Sequence, residues 1–230
     1  MNPVSVALAW SGGKDSAMAL AALRADPQFE VVALVTTITR DYDRISIHGV
    51  RRSVLEAQVE AIGIPLVEVT IPTAASNAIY EAAFAETLAG LRHAHPGLDR
   101  LAFGDLFLGD VRAYRERLLE PLGWKPLFPL WGADTAALAA GFIERGFRAI
   151  LTCVDTTQIS ADFAGREFDS ALLADLPPTA DPCGENGEFH SCVYAGPIFS
   201  RPLPLRIGER VLRDGRFEYC DVLLDDPATG

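Results

Sequence analysis

Apolar residues along this chain fall into two rhythms. Short, mainly apolar runs at Val4–Trp10, Phe29–Thr37, Leu66–Ile71 and Leu101–Phe103 suit strands buried on both faces. Between them, apolar positions recur at helical spacing over Ala17–Ala25, Arg52–Ile62 and Asn77–His93. In the second of these segments Val54, Leu55, Val59 and Ile62 share one side. Gly63-Ile64-Pro65 and His95-Pro96-Gly97 end the latter two. Ile38–Gly49 is polar and reads as a loop. Strand alternating with helix predicts an α/β fold on a doubly wound parallel sheet with right-handed crossovers.

The pattern changes after an amphipathic helix predicted over Asp110–Leu119. Pro121–Gly132 holds three prolines and two tryptophans and reads as a crossover between domains. Beyond it the pattern predicts a helix over Asp134–Arg145, a strand over Ala149–Val154 and a loop over Asp155–Arg166. A short helix over Ser170–Leu176 stops at Pro177-Pro178, and Phe189–Tyr194 reads as a strand. Pro204–Ile207 and Arg210–Leu224 read as antiparallel strands, with Asp214-Gly215 as their hairpin turn. The expectation is a first domain over residues 1–127 and a smaller C-terminal α+β domain over 128–230.

Composition narrows the function classes. The chain has 230 residues and a net charge of −11, and 49% of it is hydrophobic. That is enough for a sizeable core in a soluble globular protein. An acidic surface repels the phosphate backbone and disfavours a nucleic-acid partner. No apolar run reaches the roughly 18 residues of a membrane span. The N-terminus lacks a basic segment ahead of an apolar one, so no secretory signal is expected and the location is read as cytoplasmic. Cys153, Cys183, Cys192 and Cys220 form no CxxC or CxxC…HxxxH pattern, which argues for free thiols rather than structural zinc.

Candidate chemistry gathers first where the opening strand ends. Trp10 is followed by Ser11-Gly12-Gly13-Lys14-Asp15-Ser16 and then by the first helix. Glycines permit a tight turn and close approach of a ligand to the backbone. Ser11, Asp15 and Ser16 suit a helix's first turn, where unpaired N–H groups and the positive dipole end attract phosphate. The Walker A spacing is absent, and an ordinary strand–turn–helix corner fits the same residues. In a doubly wound sheet, ligands lie beyond the carboxyl ends of the strands near the switch point. Thr36 and Gly104-Asp105 fall at such ends beside Trp10-Ser11. Gly104 would admit a nucleotide, and Asp105 would hold Mg²⁺ or a ribose hydroxyl, although Gly-Asp also simply turns a chain. On the following helix, spacing brings Arg112 near Arg115 and turns Arg117 elsewhere. Arg112 lies closest to the phosphate end and is the ligand candidate of the three.

The second informative stretch is Asp181–Pro197. Glu185, Glu188 and His190 crowd around a turn built from Gly184, Asn186 and Gly187. Strand alternation puts Glu188 and His190 on one face and Phe189 on the other. By itself this pattern equally describes a β-turn edged by solvated carboxylates.

The Ser11–Ser16 loop resembles the SGGxDS loop of PP-loop ATP pyrophosphatases, which cleave ATP between its α and β phosphates. Over nearly its whole length the chain resembles the diphthine–ammonia ligase family and its bacterial relatives. The likeness is carried by that loop, His48-Gly49-Val50-Arg51, Phe103-Gly104-Asp105, Pro129-Leu130-Trp131 and Cys183–His190. The last is the most specific, being similar to the Gly-Glu-x-Gly-Glu segment of the ligases. The ligases continue with Tyr-Glu-Thr where this chain has Phe189-His190-Ser191. That departure resembles the bacterial branch, in which diphthamide is absent.

The resemblance implies an adenine nucleotide alpha hydrolase-like fold of the HUP type and an ATP-dependent ligase. In that chemistry a carboxylate attacks the α-phosphorus, pyrophosphate leaves, and ammonia displaces AMP. It implies ATP contacts from Trp10, Ser11, Gly12, Gly13, Ser16, Thr36, Gly104, Asp105 and Arg112. Lys14 would face the departing pyrophosphate, and Asp15 with Asp105 would carry Mg²⁺. Glu185 and Glu188 would hold ammonium or a cationic substrate, with His190 moving a proton. The expected partners are a small or peptide-borne carboxylate and ammonia, and a homodimer stays open. Two rivals remain: adenylation for tRNA thiolation, which would draw on Cys183 or Cys153, and a nucleotide-binding sensor without catalysis.

Overall fold

The computed structural model describes residues 3–45 and 49–225, and they divide into two compact units. The first comprises residues 3–11, 15–45 and 64–132; the second comprises 12–14, 49–63 and 133–225. In chain order the elements are β1 (Val4–Ala9), α1 (Lys14–Ala25), β2 (Phe29–Thr39), β3 (Arg44–Ile45), α2 (Arg52–Ile62), β4 (Leu66–Ile71), α3 (Asn77–Ala94), β5 (Arg100–Ala102) and α4 (Gly109–Leu119). They continue as β6 (Lys125–Leu127), α5 (Thr135–Glu144), β7 (Arg148–Asp155), α6 (Ser170–Asp175), β8 (Phe189–Ala195), β9 (Leu205–Arg213) and β10 (Phe217–Leu224).

The first unit is an α/β sheet. β1 pairs in parallel with β2 on one side and β5 on the other, β2 continues to β4, and β5 continues to β6. β1 is central because Val6, Ala7 and Leu8 carry no polar atom that needs water, and all three are fully buried. The chain winds outward through β2 and β4, then returns to lay β5 against the free side of β1. That reversal is the topological switch point, and the carboxyl ends of β1 and β5 meet there. Phe84, Leu88 and Leu91 of α3 join Leu118 and Leu119 of α4, Phe103 and Trp124 in one core against the sheet.

Two details depart from the expected pattern. The polar segment after Thr37 is not all loop: β2 runs to Thr39 and pairs antiparallel with the short β3. Pro121–Gly132 is more than a crossover, since Lys125–Leu127 forms an edge strand along β5, with Leu101 opposite Pro126. A proline lacks the ladder N–H and masks a strand in the sequence, but it is tolerated at an edge.

The second unit is an antiparallel sheet in the order β8-β7-β10-β9. Phe142 of α5 stacks on Phe147, meets Phe168 edge-on, and Phe168 in turn contacts Phe189 at the start of β8. α2 belongs to this unit. Val54, Leu55, Ala61 and Ile62 are buried, Gly63 at φ +75° closes the helix, and the Ser200 N–H donates to the Ala61 carbonyl. The two strands expected over Pro204–Ile207 and Arg210–Leu224 are instead β9, continuous through Leu205–Arg213, and β10. Arg210 faces Cys220 and Ile207 faces Val222, so Gly208 and Glu209 bulge opposite Asp221. The hairpin turns at Asp214-Gly215, as its Asp-Gly pair predicts.

Candidate functional site

Within the second unit, the middle of the Ser11–Ser16 loop is bonded to strand β8. The Val193 N–H donates to the Gly12 carbonyl at 2.8 Å, and the Lys14 N–H donates to the Ser191 hydroxyl at 3.2 Å. Gly12 adopts φ +75°, a conformation that L side chains resist. The Lys14 side chain is only 3% exposed, and its ammonium lies 5.6 Å from the Phe189 ring centroid. Burial pushes the neighbouring His190 imidazole down to about 4, and the charge of Lys14 pushes the same way. His190 is therefore neutral near pH 7.

The acidic turn ahead of β8 closes on itself. The Asp181 carboxylate accepts from the N–H groups of Cys183 and Glu185 at 2.9 and 3.2 Å. Glu188 Oε1 accepts from the Asp181 N–H and the Asn186 amide at 2.8 and 3.2 Å. Glu188 is 1% exposed, and its second oxygen, Oε2, has no hydrogen-bond partner among the described residues. A solvated carboxylate is thus the wrong description of Glu188, because the turn wraps its own backbone around it. Glu185 stays partly exposed. Gly184, at φ +69°, lies against the Phe189 ring, and a Cβ there would come within 3.0 Å of its atoms. Ahead of the turn, Cys183 is buried and donates to the Thr135 carbonyl.

In the first unit, the remaining loop residues collect at the carboxyl ends of β1, β2 and β5. The Trp10 N–H donates to the Val35 carbonyl at 2.8 Å, and the Thr36 hydroxyl donates to the Trp10 carbonyl at 2.6 Å. The Ser11 hydroxyl donates to Ser16 Oγ at 3.2 Å. Gly104 passes so close to the first turn of α1 that a Cβ would sit 2.8 Å from the Asp15 carbonyl carbon. Burial pushes the Asp105 carboxyl up against the pull of Arg115, and the charge of Asp15 pushes it further. Arg115 Nε lies 3.5 Å from Asp105 Oδ2, yet neither atom has a hydrogen-bond partner among the described residues. An orphaned buried carboxylate oxygen beside a second carboxylate suits a divalent cation such as Mg²⁺, which takes one or two carboxylates together with phosphate oxygens. Among the described residues no group of three or more His, Cys, Asp or Glu is placed to hold a metal.

The arginines of α4 divide. Arg115 lies over Phe103 and beside Asp105, while Arg112 lies over Phe128 and Trp131 and donates to Glu116 at 2.9 Å. Pattern reading singled out Arg112 as lying nearest the phosphate end and left Arg115 as its neighbour on the helix; packing is what separates the two. Pattern reading missed Gln58 and Ser191. Gln58 did carry a signal, being an amide on the apolar stripe of α2. Of the His48–Arg51 motif, His48 lies outside the described residues. Gly49 packs against the Tyr219 ring and Arg51 forks onto the Asp221 carboxylate, so both act as anchors to β10.

Residues 4–126 match the family model of the diphthamide synthase N-terminal domain, and residues 134–222 match that of the diphthamide synthase C-terminal domain. The chain belongs to the diphthamide synthase family. It is similar to a diphthine–ammonia ligase of Schizosaccharomyces pombe, with 26% identity over 227 residues covering 91% of this chain and 37% of that protein. The chain therefore spans little more than a third of that relative's length. The loop and the acidic turn fall in different domains of the family: the first in the N-terminal match, the second in the C-terminal match. Among the described residues no helix is long and apolar enough to cross a membrane, and the four cysteines are buried and outside any disulfide.

Proposed function

We propose that this chain is an ATP-dependent ligase of the diphthamide synthase type that joins a carboxylate to ammonia through an acyl-adenylate. Membership of the family supports the ligase reading. The observation that carries the chemistry is the second unit's pairing of a buried Lys14 with β8, directly behind the acidic turn. Residues 1–127 would handle ATP and residues 128–230 the carboxylate.

A carboxylate is unreactive toward ammonia near neutral pH, so its oxygen first attacks the α-phosphorus of ATP and pyrophosphate departs. Ser11, Gly12, Gly13 and Ser16 bind phosphate oxygens through N–H and hydroxyl groups, with Arg112 at the phosphate end and Trp10, Thr36 and Gly104 serving the nucleoside end. Lys14 neutralises charge that builds on the leaving pyrophosphate, and its burial makes that charge count for more than it would in water. Asp15 and Asp105 would hold Mg²⁺, which shields the phosphates when bound. Ammonium docks at Glu185 and the unpaired Glu188 oxygen and gives one proton to the Glu188 carboxylate, and the ammonia so formed attacks the acyl carbon, expelling AMP. As the C–N bond forms, the nitrogen becomes acidic, and neutral His190 takes the released proton.

The deciding experiment incubates the protein with ATP, ammonium and a panel of carboxylates, free and peptide-borne, and identifies the nucleotide product. The expected result is AMP and pyrophosphate whose formation depends on one class of carboxylate. Release of ADP would sink the proposal, and tight ATP binding without turnover on any carboxylate would favour a sensor.

A further inference from the structure

Gln58 sits on the apolar stripe of α2 and is fully buried. Burying a primary amide costs free energy unless its groups are bonded, and a leucine or methionine would fill the same space without that cost. What the amide bonds to therefore explains its presence. Its Nε2 donates to the Gly12 carbonyl at 2.9 Å and to the Val193 carbonyl at 2.7 Å, with a weaker approach to Cys192 Sγ at 3.7 Å. The Gly12 carbonyl also accepts from the Val193 N–H at 2.8 Å. Both lone pairs of that oxygen are thereby engaged.

We infer that Gln58 is a positioning residue of the phosphate loop. In a planar trans peptide the C=O and the following N–H point in opposite directions. Drawing the Gly12 carbonyl toward α2 and β8 therefore turns the Gly13 N–H the other way and fixes the plane of the peptide that opens the loop. The fit is tight: a Cβ on Gly12 would lie 2.7 Å from Gln58 Oε1. One step further on, the Lys14 N–H is held by Ser191 on the same strand. β8 starts at Phe189, so the bonds that orient the loop also set Lys14 at a fixed register to His190 and Glu188. Gln58 touches no reacting atom and acts through Gly12 and Val193.

The inference rests on the reading of Ser11–Ser16 as an ATP phosphate loop, and the test separates the two. Gln58→Met keeps the length and removes the donor. Its expected effect is a rise of about tenfold in KM for ATP, the size typical of one lost buried hydrogen bond, with KM for ammonium unchanged and a cooperative thermal unfolding transition retained. A purely structural role would instead lower the melting temperature and leave KM for ATP in the folded fraction untouched. Equal ATP affinity for Gln58→Met and wild type, by titration calorimetry, overturns the positioning role alone. Absence of ATP binding by the wild-type protein overturns the phosphate-loop reading and the inference together. If the variant does not fold, nitrogen-15 NMR of the wild-type protein decides. The Gln58 side-chain amide and the Gly13 amide should shift together on adding ATP, and a Gln58 signal unmoved at saturation overturns the inference.

Discussion

Asp105 and Asp155 occupy comparable places in the two units, one just past the end of β5 and the other closing β7. Their surroundings treat them in opposite ways. Asp155 is 1% exposed and receives a forked guanidinium from Arg216, hydroxyl and backbone donors from Thr157, and the Gln158 amide. Those bonds, chiefly from Arg216, hold its carboxyl well below the usual carboxylate range. Asp105 meets a single guanidinium at 3.5 Å without a hydrogen bond, and burial pushes its carboxyl up. A carboxylate whose bonds are all made serves the fold, whereas one left poorly satisfied costs stability and persists because a ligand completes it. Glu188 combines both conditions, with one oxygen bonded by the turn and the other unpaired.

The largest expected effect falls on the poorly satisfied side. Asp105→Asn should lower AMP formation by about a hundredfold or more, the usual loss when a charge-stabilising group leaves a reacting site. Stability should hold or rise slightly. Because burial raises the folded carboxyl above its unfolded value, the native state binds the extra proton, and wild-type stability falls as pH rises through that raised value. A chemical-denaturation series across pH checks the sign. If the variant keeps wild-type turnover, the contrast with Asp155 loses its functional meaning.

Asp155→Asn should do the reverse. Breaking its bonds to Arg216 is expected to cost about 2–3 kcal/mol of stability, at the low end for a buried pair because Arg216 is half exposed. Turnover per folded molecule should stay within about threefold of wild type. The depressed carboxyl contributes stability that is present at neutral pH and is lost only as pH falls below the ordinary carboxylate range. A variant that folds normally but loses turnover would move Asp155 into the site.

His190 gives an effect that appears only in acid. With its folded value near 4 against 6.5 for a free imidazole, His190 contributes stability that is complete above pH 6.5 and is lost as pH falls toward 4. His190→Gln should flatten that acid limb by up to about 3 kcal/mol, read from thermal unfolding between those pH values. A limb of unchanged slope would show that His190 is not held neutral.

The smallest effect concerns the thiols. Burial pushes Cys153 up to about 11, and Cys183 is engaged with the Thr135 carbonyl, so neither resembles an activated nucleophile. A Cys153→Ser, Cys183→Ser double variant should retain turnover within about twofold. A large loss would revive the thiolation rival.

Much of the fold was legible in the chain. The buried runs of β1, β2 and β4 and the helical stripes of α2 and α3 follow from local periodicity, and the Asp214-Gly215 hairpin from its turn residues. β6 was hidden by its proline, and the bulge in β9 by a pattern that looked like two strands. At the site, the loop and the acidic turn stood out because glycines and carboxylates cluster there. Arg115, Gln58 and Ser191 did not stand out, since each is an ordinary residue whose meaning comes from what lies beside it.

The sequence by itself determined the alternating elements, the clustering of small and polar residues at Trp10–Ser16 and Gly104-Asp105, and the family resemblance, because periodicity, turn chemistry and motif spacing are local properties. Only the tertiary structure decided which carboxylate is satisfied and which is not, and which arginine serves Asp105. It also decided that Gly12 and Lys14 are bonded to β8. Those are matters of hydrogen-bond partnership and desolvation between residues far apart in the chain, and no local pattern encodes them.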